Sequence, residues 1–350
     1  MKILYGVPSE GMGHATRSKV VIAYLLSKGH DVRVVTSDRA FSFLQTHFGE
    51  RVISIEGFHL AYNNARVSVG QTILLSLKNI PKQILKNFTA YQAFLKEFMP
   101  DLVISDFESF SHFFAKTKNI PFVSIDNMQV LNRAKLDILI PKEERGNQVL
   151  SKNIVKAKVP GALHYYITSF FHPALRKEQT SYVAPIIREE IIQTKPSVKD
   201  HIVVYQTSTS QKDLIPVLQS ITNQPFIVYG FNRDEEHGNV LLKSFSEKEF
   251  IQNVASAKAV IANGGFSFIS EAVFLKKPVC CVPIKNQFEQ FVNAAYIQKL
   301  QYGRHFDEFT TDQIKAFLYD LPVFQQSLQA FSHDGNKALF SALDKLCGSK

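Results

Sequence analysis

Residues 262–294 hold the side chains best suited to grip a phosphorylated ligand. An apolar run at 258–262 reads as a strand, and Asn263, Gly264, Gly265, Phe266 and Ser267 follow it directly. A helical pattern then covers 268–275. Glycines at such a turn let a ligand approach the backbone closely. The free N–H groups and the dipole of the helix start favour an anion such as a diphosphate. Glu271 lies one helical turn past Ser267, on the face near that ligand, where a carboxylate can accept both hydroxyls of a ribose. After the next strand, at 278–282, come Pro283, the pair Glu289 and Gln290, then Asn293 and Ala294. A Gly-Gly pair alone would fit a glycine-capped turn of any α/β protein; the whole combination is more specific.

A second cluster follows the first strand, at 2–6: Gly11, Met12, Gly13 and His14. It reads in part as the dinucleotide fingerprint G-x-G-x-x-G, with Asp38 where a ribose-binding acid would sit. However, Thr16 occupies the third glycine position and His14 would crowd a pyrophosphate. A histidine at the mouth of the first strand is instead a candidate general base. Asp106 with Glu108, and Asp126 beside Asn127, follow strands at 101–105 and 121–125. Each carboxylate could assist the base or bind acceptor hydroxyls; capping of a strand end is the alternative for each. Thr207 and Ser208, in a hydroxyl-rich turn after 201–205, could touch diphosphate or be an ordinary turn.

The elements that must position these residues repeat one pattern. Residues 17–28 are apolar at helical spacing, and Gly29 stops them where a left-handed residue is needed. A second strand follows at 31–36. Strand, turn, helix, strand is a βαβ unit, which implies a parallel sheet. A later strand is expected near 165–171. Residues 186–199 are polar and contain Pro196, and the pattern restarts with strands at 201–205 and 225–229 and a helix at 213–220. The expected fold class is α/β, with two Rossmann-like parallel-sheet domains facing a cleft. The expected domains are 1–190 and 191–350, with the last helix able to pack back on the first. Ligands bind beyond the carboxyl ends of such strands, so the cleft is the natural site.

The small-residue turn, Glu271, the prolines, and the Glu289-Gln290 pair three residues before Asn293-Ala294 resemble the donor-site signature of GT-B glycosyltransferases. The chain looks most like the bacterial peptidoglycan N-acetylglucosaminyltransferase, of the family 28 type. The resemblance covers the whole layout, with its specific motifs in 6–18, 101–108 and 245–294. It implies ribose contact by Glu271 and donor-sugar contact by Glu289 and Gln290. It implies donor binding around Asn263, Gly264, Gly265, Phe266 and Ser267, and a base-binding edge at Phe245 and Ser246. The family also carries a Gly-x-Gly-His turn whose histidine is a recurrent candidate base, which points to His14 with Asp106 as catalytic. Gly11, Gly13, Glu108 and Asp126 then lie on the acceptor side. The implied reaction is inverting transfer from a UDP-sugar co-substrate to an acceptor hydroxyl. No metal or other cofactor is expected, since no Asp-x-Asp or C-x-x-C occurs. The alternatives are a UDP-sugar 2-epimerase-like enzyme and a non-catalytic sugar-nucleotide-binding protein.

Composition narrows the partners. The 350 residues are 45% hydrophobic and 20% charged, as in proteins with real cores, and their length suits two domains. Net charge is +9, which favours polyanionic partners. No zinc-finger or RNA-binding motif is found, so nucleic acid is not expected. The three cysteines suggest no disulfide framework and fit a reducing compartment. The N-terminus is too short in its apolar part for a signal peptide, and no run is long enough to span a bilayer. The expected location is cytoplasmic, peripheral on the inner face of the plasma membrane. Leu74, Leu77, Ile84, Phe88, Tyr91, Leu95 and Phe98 form an apolar stripe beside Lys78, Lys82 and Lys86. Lys152, Lys156 and Lys158 add further bases. A helix packed on the sheet with solvated lysines accounts for that stripe; a surface that meets anionic lipid and a lipid-linked acceptor is the functional alternative.

Overall fold

The computed structural model describes residues 1–9, 11–55, 92, 95, 96, 98–206 and 214–348. The first sheet contains β1 (Lys2–Gly6), β2 (Asp31–Thr36), β3 (Val52–Ser54), β4 (Leu102–Ser105), β5 (Phe122–Asp126), β6 (Tyr165–Thr168) and β7 (Thr180–Val183). Its order is β3-β2-β1-β4-β5-β6-β7, and every pairing is parallel. The second contains β8 (Ile202–Tyr205), β9 (Phe226–Tyr229), β10 (Glu235–His237), β11 (Val240–Lys243), β12 (Ala259–Ala262), β13 (Val279–Cys281) and β14 (Gly303–His305). Its order is β10-β11-β9-β8-β12-β13-β14, parallel except for the β10–β11 pair. Helices cover both faces, so the central strands are buried throughout. β4, β5, β12 and β13 have no exposed residue, as runs such as Leu102-Val103-Ile104 require.

Strand order reverses between β1 and β4 in the first sheet and between β8 and β12 in the second. Crevices open at such points beyond the carboxyl ends of the strands. Gly6 and Asp106 stand at one of them, and Gln206 and Asn263 at the other.

The first helix departs from the sequence expectation. It spans Met12–Ser27, so Gly13 and His14 lie in its first turn rather than in a loop before it. The cause is Gly11, whose φ of 83° turns the chain straight into the helix. The antiparallel edge strand β10 was also not expected, because the three residues Glu235-Glu236-His237 carry no apolar period.

The two units are tied at a double crossing. The Asn336 amide accepts from Ile187 N (3.0 Å) and donates to Ile187 O (2.8 Å). The C-terminal helix, Lys337–Leu346, then packs on the first sheet. Leu339, Leu343 and Cys347 join the core around Ile3, Val21 and Ile22. Phe340 stacks on Tyr24 with centroids 3.8 Å apart, and the Tyr24 hydroxyl donates to Asp344. Of the expected apolar stripe, Leu95 and Phe98 are buried in the core. Lys78, Lys82, Lys86 and the rest of that stripe lie outside the described residues. No helix among the described residues is long and apolar enough to cross a membrane.

Candidate active site between the two sheets

The helix that starts at Met12 turns His14, Arg17 and Ser18 toward the end of β4, where Asp106 sits 1% exposed. His14 Nδ1 lies 2.9 Å from Asp106 Oδ1. Arg17 grips the same carboxylate with two nitrogens, Nε at 2.8 Å and Nη2 at 2.5 Å, and the Ser18 hydroxyl donates to it at 2.9 Å. Burial alone would favour the neutral acid, but the Arg17 charge and the hydrogen bonds of Arg17 and His14 outweigh it. They hold the Asp106 carboxyl well below the usual carboxylate range. When Nδ1 carries the ring proton and donates it to Asp106, His14 keeps a lone pair on Nε2 for an incoming hydroxyl.

The opposite wall is the turn after β12. Gly264 takes φ of 100°, and a Cβ there would stand 2.9 Å from Gln290 O, so only glycine fits. Asn293 Nδ2 donates to Gly264 O at 3.0 Å, and Asn263 Nδ2 donates to Gln206 Oε1 at 2.9 Å. These bonds fix the loop that leads into the helix Phe266–Phe274, whose first N–H groups have no side-chain cap from Gly265. Ser267 Oγ donates to Gly13 O at 3.0 Å, and a Cβ on Gly13 would meet that oxygen at 2.7 Å. The two glycine turns therefore meet across the cleft.

A family model described as glycosyl transferase family 1 matches residues 1–322. The chain belongs to that family. Two curated relatives, both described as uncharacterized glycosyltransferases, match over the full length of both chains. The one from Methanosarcina mazei is 26% identical, and the one from Methanosarcina acetivorans 24%. Among solved structures, the calicheamicin glycosyltransferase CalG4 superposes with TM-score 0.69 at 15% identity, covering 100% of this chain and 98% of that one. A Phytolacca americana UGT2 complex superposes with TM-score 0.68 at 12% identity, covering 99% of each. The fold is GT-B, and the protein is a glycosyltransferase.

Within this glycosyltransferase the sequence-derived residues are placed as follows. Gly13, in the helix turn that carries His14, meets Ser267 of the turn at Gly264, Gly265 and Phe266, while Gly11 starts that helix and Asp106 pairs with His14. Glu289 reaches across the cleft, accepting from Asn127 Nδ2 at 2.6 Å. Gln290 is buried and holds the Ile284 N–H through Oε1 at 3.0 Å. Phe245 is 53% exposed, and Ser246 caps the helix Glu247–Ser256. Thr207 and Ser208 lie outside the described residues.

Of the two readings offered for Glu108 and Asp126, acceptor binding and capping, the local hydrogen bonds favour capping. Glu108 caps the helix Ser109–Lys118, accepting from Phe110 N at 2.7 Å and Ser111 N at 2.6 Å. Asp126 is fully buried and accepts from Ser124 Oγ at 2.6 Å and Gln129 N at 2.8 Å. Both carboxylates satisfy local donors, which is the capping role. Glu271 likewise has a protein partner. Arg188 Nε and Nη2 donate to its two oxygens at 2.6 and 2.7 Å, and Arg188 also bonds Glu247. Arg17, Ser18 and Arg188 were not singled out from sequence, and Asn127 only as the neighbour of Asp126. Arg17 and Ser18 had a signal, since they stand three and four residues past His14 and share its helical face. Arg188 gave none, lying in a polar connection.

Asp126 carries a testable pH dependence. Burial, aided by the Asp106 charge, pushes its carboxyl up to about 6, against the Ser124 and Gln129 bonds that favour the charged form. A carboxyl raised in the fold stabilises the protein below its unfolded value, and that contribution is lost as pH rises to the folded value. The window therefore runs from about 4 to about 6. Asp126→Asn can keep both bonds, accepting from Gln129 N and donating to the Ser124 hydroxyl. Relative to this variant, the wild type is expected to lose on the order of 2 kcal/mol of stability across that window. Urea unfolding of both proteins at pH 4 and pH 7 measures it, and equal pH dependence would remove the claim.

Proposed function

We propose that this glycosyltransferase moves a sugar from a UDP-sugar to an acceptor hydroxyl by direct displacement with inversion, without a metal ion. The observation that carries this reading is the meeting of the His14–Asp106 pair with the Gly264–Ser267 turn across the Ser267–Gly13 bond. The acceptor hydroxyl gives its proton to Nε2 of His14, and its oxygen attacks the anomeric carbon from one side. The bond from that carbon to the diphosphate breaks on the other side, and its electron pair leaves on the phosphate oxygen. Asp106 stays ionised and stabilises the imidazolium. The amides at Gly264 to Ser267 take the growing phosphate charge. Glu271 accepts from the ribose hydroxyls, and Glu289 and Gln290 meet the donor sugar. The absence of an Asp-x-Asp sequence supports a metal-free route.

The uridine donor is supported by the solved neighbours. The Phytolacca enzyme is bound to UDP-2-fluoro-glucose with pterostilbene, and an anthocyanidin 3-O-glucosyltransferase is bound to UDP. The acceptor we propose is lipid-linked and presented at an anionic membrane. It is supported by the net charge of +9, by Lys152, Lys156 and Lys158 on the first unit, and by the likeness to the peptidoglycan enzyme. Basic residues near such a surface contribute about 1 kcal/mol each.

One assay tests the whole reading. The protein is incubated with labelled UDP-N-acetylglucosamine or UDP-glucose, alone and with a membrane-lipid extract dispersed in anionic vesicles. Extract-dependent UDP release, with label in the organic phase and less transfer at high salt, is the expected result. Label in a water-soluble product would replace the lipid acceptor with a soluble one. A changed sugar without any acceptor would identify an epimerase, and NAD binding without UDP binding by calorimetry would overturn the donor.

A further inference from the structure

Between the two halves of this site runs a chain of polar groups, buried except at the half-buried Glu289, that no sequence motif flagged. Arg17, 4% exposed, holds Asp106 with Nε and Nη2. Its third nitrogen, Nη1, donates to Asn127 Oδ1 at 2.6 Å. Asn127, also 4% exposed, donates through Nδ2 to Glu289 Oε1 at 2.6 Å. The directions leave no freedom. An Asn127 flip would place its NH2 against a guanidinium and its oxygen against a carboxylate, so only one orientation satisfies both neighbours. Arg17 Nη2 also lies 2.7 Å from His14 Nδ1. Arg17 only donates and Asp106 only accepts, so Nδ1 carries the ring proton when it faces Asp106 and gives it up to Nε2 when it accepts from Arg17; the tilt of the guanidinium thus decides whether Nε2 has the lone pair a base needs.

We propose that Arg17 and Asn127 are positioning residues for sugar transfer: they link the His14–Asp106 pair of the first sheet to Glu289 of the second, so that donor-sugar engagement at Glu289 sets the orientation of the base. The proposal rests on His14 as base and Glu289 as a donor-sugar contact. Asp106 and Glu289 are 183 positions apart in the chain and belong to different units, so the link runs through the contact between them. Drawing Glu289 toward a sugar hydroxyl pulls on Asn127, and Asn127 then holds the guanidinium fork in the plane of the Asp106 carboxylate. Other ionisable groups face this chain. Asp126 and Glu289 act on Arg17, while Arg17 and Asp126 act on Tyr5 behind Asp106. Glu108 is occupied by its own helix start.

The test uses Asn127→Ala, with Arg17→Lys as the second variant because it keeps the buried charge but cannot span Asp106 and Asn127 together. Ring-nitrogen NMR of His14, assigned by comparison with His14→Gln, is followed against pH with UDP alone and with UDP-N-acetylglucosamine or UDP-glucose. In the wild type the UDP-sugar, but not UDP, is expected to move the His14 resonances and their titration. In Asn127→Ala that sugar-dependent response is lost, while UDP-sugar affinity stays within about threefold and UDP release slows by at least about tenfold. Arg17→Lys is expected to slow release similarly, with the acid limb of its pH profile unmoved. A wild-type His14 response in Asn127→Ala would overturn the proposal. So would a turnover loss matched by the loss of donor affinity. If His14→Gln itself retains full turnover, the base assignment fails instead, and the two failures are told apart.

Discussion

Replacing His14 by alanine is expected to lower turnover on the order of 10²- to 10⁴-fold, the usual contribution of a positioned general base. UDP affinity should stay close to that of the wild type. The separation follows from where His14 stands. It touches Asp106 and Arg17 on the first unit, and the groups placed around the donor belong to the second. Removing it takes away proton acceptance in the transition state and little of the ground-state binding. The neighbouring carboxylates are poor substitutes. Asp106 is held ionised by Arg17, so it has little appetite for a proton, and Asp126 is fully buried behind it. UDP release under saturating donor, set beside UDP calorimetry, measures both quantities. Full turnover in His14→Ala would shift the base to a carboxylate despite these arguments. An equal loss of turnover and UDP affinity would show that His14 serves binding.

The parts legible in the sequence share a physical cause. Strands buried on both faces must be apolar throughout, so β1, β4, β8 and β12 stand out as short runs such as Ile202-Val203-Val204. Once the parallel order is set, the switch points follow, and the glycine turns after β1 and β12 mark the cleft. Short edge strands escaped because β10 has only three residues, two of them glutamates. The roles of carboxylates were harder to read. Glu108 and Asp106 stand two residues apart after one strand, yet Glu108 turns onto the N–H groups of its own helix and Asp106 onto Arg17. Which way such a side chain turns depends on what the fold packs beside it. The cross-cleft contacts escaped for a related reason. Asn127 and Glu289 are 162 residues apart and belong to separately built units, so no local pattern in the sequence pairs them.

Glu271 was placed from sequence as a free ribose acceptor, and its pairing with Arg188 sharpens what its removal should do. Glu271→Ala is expected to weaken UDP binding by about 2 kcal/mol, roughly 30-fold, through loss of hydrogen bonds to a charged group. It should also destabilise the protein by about 3–5 kcal/mol, since it leaves the buried Arg188 charge with Glu247 alone. The two losses have different origins. Each carboxylate oxygen accepts more than one hydrogen bond, so Glu271 can hold Arg188 and still take ribose hydroxyls. Arg188 then acts as the clamp that orients the carboxylate, with Nε and Nη2 fixing its plane. Removing both charges at once, in Arg188→Met with Glu271→Met, deletes the buried pair without stranding either partner. That double variant should regain most of the lost stability, because apolar groups of similar volume often replace a buried ion pair at little cost. It should not regain UDP affinity, because the ribose acceptor is still gone. Thermal unfolding and UDP calorimetry on the wild type and both variants separate the two effects. UDP affinity unchanged in Glu271→Ala would take Glu271 out of the donor site and leave it, with Arg188, as a tie between the connecting segment and the second unit.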